Sequence, residues 1–117
     1  MAAATDNLII DKGATFKKTY VYQDSSRNPI DLTGYTAKMQ IRPYVGSSTV
    51  IVELSTANGR ITITPLEGEI ELNLSKTDTE SIVENSGVYD LDLIDSSSEP
   101  IKLVRGTVTF VDRVTEW

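Results

Sequence analysis

The chain has 117 residues, 39% hydrophobic and 24% charged, with a net charge of −6 and neither cysteine nor histidine. That length supports one two-layer core, and the apolar fraction excludes a disordered acidic tail. The missing residue types exclude disulfides, thiolate metal sites and the commonest general base, while the negative balance argues against nucleic acid and anionic membranes as partners.

Residues 1–6, Met-Ala-Ala-Ala-Thr-Asp, read as a flexible N-terminal arm, and residues 7–117 as a single domain. The start lacks the basic and apolar regions of a signal peptide, which implies synthesis in a cytoplasm. No apolar stretch reaches the length of a membrane span. From there the dominant signal is alternation with period two, the mark of half-buried strands. The run around Phe16, Tyr20, Val21 and Tyr22 is strand-like, without a clear inward face. Asp31-Leu32-Thr33-Gly34 reads as a turn in which Leu32 anchors inward and the Asp31 carboxylate accepts backbone amides. Tyr35, Ala37, Met39 and Ile41 share one face of the next strand, and Val50, Val52 and Leu54 form another apolar face.

Asn58-Gly59 is the dipeptide that most readily makes a tight hairpin turn. Ile61 and Ile63 then point inward, Pro65 to Gly68 turns the chain, and Ile70, Leu72 and Leu74 alternate with Glu69, Glu71 and Asn73. Only Ser75 to Val83 breaks the alternation; Ser75 or Thr77 is placed to cap a short helical turn near 76–83. Tyr89, Leu91 and Leu93 alternate with Val88, Asp90 and Asp92. In the last run, Ile101 to Val111, Gly106 suggests a bulge or a change of sheet. The sum is an all-β, antiparallel, immunoglobulin-like β-sandwich of seven to eight strands with one helical turn.

Two resemblances follow from these residues. The stretch Leu74 to Ile82 followed by Ser86-Gly87-Val88-Tyr89-Asp90-Leu91 resembles the strand E to strand F crossing of immunoglobulin-like domains. It implies that Gly87 and Tyr89 form a structural corner, the Tyr89 hydroxyl tying back to the preceding loop. The cysteines and strand C tryptophan of antibody domains are missing, so the likeness is to the architecture. The second rests on Lys12-Gly13-Ala14-Thr15-Phe16, Pro29 to Ala37, Asn58 to Ile63, Gly87 to Leu91, Gly106-Thr107-Val108 and Val114-Thr115. With these the chain resembles the small β-sandwich structural proteins of tailed bacteriophages and prophages, similar to baseplate and tail-associated domains. That resemblance implies a virion component acting by protein–protein assembly in the tail, baseplate or fibre-attachment region. Its partners would be other virion proteins, and homo-oligomers belong to the same picture. A capsid decoration protein bound to the major capsid protein is the neighbouring alternative, and a soluble carbohydrate-binding module is the alternative from another class.

No catalytic residues, cofactor or metal site are expected. Asp90 and Asp92 lie two apart on an outward strand face with nothing to raise either pKa, as paired-carboxylate catalysis would need. Asp95 to Glu99 offers oxygen ligands without the spacing of a calcium loop and reads as a polar hairpin turn. The candidate interaction residues are Tyr44, in the turn after Pro43, with Val114 and Trp117 in the C-terminal segment, as aromatic and apolar anchors. Lys17, Lys18, Lys38 and Arg42 are expected on outward positions where they would limit edge pairing.

Overall fold

Residues 4–115 are described by the computed structural model. Nine strands follow one another: β1 (Ala4–Thr5), β2 (Leu8–Asp11), β3 (Phe16–Val21), β4 (Thr36–Arg42), β5 (Val52–Ser55), β6 (Ile61–Thr64), β7 (Glu69–Leu74), β8 (Ser86–Ile94) and β9 (Pro100–Val111). One helix, α1 (Lys76–Glu80), lies between β7 and β8, and a 3-10 turn covers Pro65–Glu67. The larger sheet has the order β1-β9-β8-β4-β5, with β2 also on β9; the smaller has the order β3-β7-β6. This is the B-E-D and G-F-C division of immunoglobulin-like sandwiches, extended by one strand beside C.

The alternation fixes which side chains meet between the sheets. Ala37, Met39 and Ile41 from β4, Leu91 and Leu93 from β8, and Ile70, Leu72 and Leu74 from β7 are buried together with Ile10, Leu54 and Val108. Each of these side chains except Ala37 contributes about 1.5–3 kcal/mol of apolar transfer on burial. On β5 only Leu54 of the expected face is fully buried; Val50 precedes the strand and is exposed.

Between β7 and β8 the chain crosses sheets through α1. Ser75 caps it with a complete capping box: its hydroxyl accepts the Asp78 amide at 3.1 Å, and the Asp78 carboxylate accepts the Ser75 amide at 3.1 Å. The other Asp78 oxygen receives Arg60 at 2.8 Å. Burial raises the Asp78 pKa, but the Ser75 amide and Arg60 outweigh it and hold the carboxyl below its ordinary value. Thr79 is fully buried, and its Oγ1 accepts the Gly13 amide and donates to the Ala14 carbonyl, fastening α1 to the turn before β3. Ser75→Ala removes the cap and is expected to cost about 1 kcal/mol by urea denaturation, with Ser75→Thr restoring most of it.

Two local expectations stand as drawn. Asp31 accepts the Thr33 hydroxyl at 2.6 Å and its amide at 2.9 Å, which holds its pKa below the ordinary value, and Leu32 is buried beside it. Asp95 Oδ1 accepts the amides of Ser97 and Glu99 in the hairpin joining β8 and β9.

Four others are corrected. Ala4 and Thr5 are not a loose arm: they pair in parallel with Val104 and Arg105 of β9. Asn58-Gly59 does not close a hairpin, because β5 pairs with β4 and β6 with β7; the turn carries the chain from one sheet to the other. Its Asn58 side chain bridges Ser55, Arg60 and Glu53 instead. Gly106 marks neither a bulge nor a change of sheet. It sits in register opposite Tyr89, and the register shift lies beyond Leu91, where β9 carries Leu103 as the extra residue. Nor do Lys18, Lys38 and Arg42 guard edges from outside. Lys38 and Arg42 belong to β4, which is paired on both sides, and Lys18 lies on the Phe16–Tyr20 side of β3.

Candidate functional site

The outer face of the larger sheet is built by the residues that alternate with the buried ones. One row runs Thr5, Arg105, Asp90, Gln40 and Glu53 across five strands. The next runs Thr107, Val88 and Arg42. The Asn7 side chain closes this row by accepting the Thr107 amide at 3.1 Å, so a side-chain oxygen replaces a main-chain carbonyl between β1 and β2.

Apart from Glu53, these rows line a concavity of about 550 Å3, together with Tyr44, Val45 and Gly46 of the β4–β5 loop. Arg42 fixes that loop: one guanidinium nitrogen donates to the Ser47 carbonyl at 2.6 Å and the other to Gln40 Oε1 at 2.6 Å. Gln40 passes the constraint on by donating to Glu53 at 2.7 Å. Ser47 is buried, while Tyr44 and Val45 remain 65% and 88% exposed. A held loop therefore presents an aromatic ring and an aliphatic side chain at the rim of a hollow that Gln40, Asp90 and Arg105 help to line. Such a surface is suited to apolar anchoring at the rim and hydrogen bonding within.

Along the same face Lys102 reaches Asp92 at 2.8 Å and Asp90 at 3.6 Å. The Asp92 hydrogen bond is the main reason the Lys102 pKa is raised. Asp90 and Asp92 thus belong to a cross-strand ion cluster with Lys102. A second hollow of about 330 Å3 lies between β5 and α1, lined by Val50, Arg60, Asp78, Ile82 and Glu84 among others.

Beneath the first hollow lies a clasp that sequence reasoning missed. Tyr89 is buried, but its hydroxyl does not tie back to the β7–β8 loop; it donates to the Asp6 carbonyl at 2.6 Å. Tyr20, from the other sheet, donates to the Asp6 carboxylate at 2.7 Å and touches the Tyr89 hydroxyl at 3.3 Å. Lys18 stands 3.6 Å from the same carboxylate and 5.6 Å from the Tyr20 ring centre. Burial raises the pKa of both tyrosines, with Asp6 adding to the rise. The corner assignment is therefore corrected: Tyr89 joins the N-terminal strand to both sheets. Gly87 serves packing, since a Cβ there would meet the Arg42 carbonyl at 2.9 Å and Ile41 at 3.0 Å. No spacing in the sequence signals this clasp, whose members lie up to 83 residues apart.

Of the sequence candidates, Tyr44 is part of the hollow. Val114 is 99% exposed and does not line it; it follows a segment held by Lys12–Asp112 and Arg113–Glu80 ion pairs. Trp117 lies outside the described residues. Among the described residues no helix is long and apolar enough to cross a membrane. No protein-family model matches the chain, and no curated protein matches it.

Proposed function

We propose that the chain is a structural protein of a tailed-bacteriophage virion, acting in the tail, baseplate or fibre-attachment region by binding other virion proteins through the concave face. The observation that carries the binding role is the Tyr44–Val45 rim, held in place by Arg42 over a hollow lined by Gln40, Asp90, Arg105 and Thr107. The virion setting is supported by the resemblance of the turn and core segments to baseplate and tail-associated sandwiches. In this reading the protein binds and does not catalyse.

Cross-linking mass spectrometry on purified particles tests the setting. Cross-links to tail or baseplate proteins support it, and cross-links to the major capsid protein move the chain to capsid decoration. Absence from intact particles overturns it. Tyr44→Ala tests the surface: exposed and outside the core, it is expected to leave folding unchanged and weaken partner binding about 30-fold. Unchanged partner binding rejects the concave face. Glycan-array binding lost in the same variant would make the protein a carbohydrate-binding module instead.

A further inference from the structure

We propose that two copies of the chain associate by pairing their β3 strands antiparallel, joining the two small sheets into one six-stranded sheet. β3 is the outer strand of the order β3-β7-β6. The Tyr22 amide donates to the Gly68 carbonyl at 2.8 Å, and on the far side of β7 the Asn73 amide donates to the Arg60 carbonyl at 2.8 Å. Both fix the same parity: in the β3–β7 ladder Phe16, Lys18, Tyr20 and Tyr22 aim their amides and carbonyls at β7. Lys17, Thr19 and Val21 then aim theirs away from the sheet. All three residues are exposed. The segment that follows folds back on the β7 side, where the Ile30 amide bonds the Tyr22 carbonyl beside Gly68, so it leaves this edge open.

Edges compete, and here two of them are closed. The Glu53 carbonyl of β5 is occupied by the Asn58 and Arg60 side chains, and Ile61 of β6 is only 3% exposed, backbone included. Lysines on β3 would ordinarily discourage pairing, yet one register accommodates them. With a two-fold axis at Thr19, Thr19 faces Thr19 of the second copy, Lys17 faces Val21, and Lys18 faces Tyr20. No like charges oppose, and all three outward-aimed residues of each strand are used, giving about six hydrogen bonds. Moving the axis to Lys17 or Lys18 sets lysine against lysine; moving it to Tyr20 carries Lys17 past the end of the partner strand. The half-buried Phe16, Tyr20 and Tyr22 would gain cover from the second copy. A self-complementary strand is what a two-fold interface requires. This surface lies on the other sheet from the concave face, so the two proposals stand or fall separately.

The absence of cysteine from the chain makes the test direct. Thr19→Cys places two thiols across the axis, where backbones in a hydrogen-bonded antiparallel pair stand about 5.5 Å apart, within disulfide reach. Under mild oxidation Thr19→Cys is expected to give a covalent dimer at least fivefold faster than Thr62→Cys, an exposed control on β6. Sedimentation equilibrium of the unaltered chain should show a monomer–dimer equilibrium. Val21→Lys should weaken it at least tenfold by opposing two lysines, and Lys17→Glu combined with Val21→Lys should restore it. Circular dichroism confirms that each variant is folded. A chain that stays monomeric at several hundred micromolar, equal cross-linking at 19 and 62, or a dimer indifferent to Val21→Lys overturns the proposal.

Discussion

Gly106→Ala is expected to destabilise the domain by about 2–4 kcal/mol, an overpacking cost joined to the loss of a buried hydrogen bond. A Cβ at this position would collide with the Asp6 carbonyl, whose carbon lies 2.8 Å away, and would stand 3.0 Å from Asn7 Oδ1. Both groups are in use. The Asp6 carbonyl accepts the Tyr89 hydroxyl, and Asn7 Oδ1 accepts the Thr107 amide. Relief of the collision must lift the junction between β1 and β2 off β9 and leave the Tyr89 hydroxyl buried without its partner. For a domain of this size the midpoint of thermal unfolding should fall by about 10–20 °C. The mechanism has its own check. Tyr89→Phe removes the same hydrogen bond, so the double variant should be less destabilised than the sum of the two. Full additivity, or a Gly106→Ala protein as stable as the parent, would show that the N-terminal strand is not clasped there.

Raising the pH above 10 is expected to unfold the domain progressively, with Tyr20 and Tyr89 as the main cause. In the folded chain burial is the largest effect raising both pKa values, and the Asp6 charge works in the same direction. In the unfolded chain a tyrosine ionises near 10. A folded-state pKa raised above the unfolded value contributes stability that is complete below pH 10 and is lost as pH climbs beyond it, because only the unfolded chain releases the proton. Lys102, raised chiefly by its Asp92 hydrogen bond, loses its contribution in the alkaline range in the same sense. Urea midpoints between pH 8 and 11.5 should therefore be flat and then fall. Tyr20→Phe lowers the plateau and should about halve the alkaline slope that the two tyrosines produce. An unchanged slope would place the titration elsewhere.

Much of this fold is legible from residues close together along the chain. The pleat of a strand alternates its side chains, so the inward sets Ala37–Met39–Ile41, Ile70–Leu72–Leu74 and Tyr89–Leu91–Leu93 follow from spacing alone. The Ser75 cap, the Asp31 turn and the Asp95 hairpin are equally local, each closed within four residues. Other features depend on which strands become neighbours. Asn58-Gly59 turns the chain in either case; whether it joins paired strands or crosses between sheets rests on β5 choosing β4 and β6 choosing β7. The destination of the Tyr89 hydroxyl, the need for glycine at 106 and the docking of Ala4 and Thr5 all arise because the parallel pairing with β9 brings the first residues against the last long strand. The hollow bounded by Tyr44 gathers side chains from the N-terminal strand, β4, β8 and β9 in the same way. Local chemistry in this protein settles the elements and their buried faces. Long-range pairing settles what those faces and edges meet, since its free energy is distributed over contacts that no short window of sequence contains.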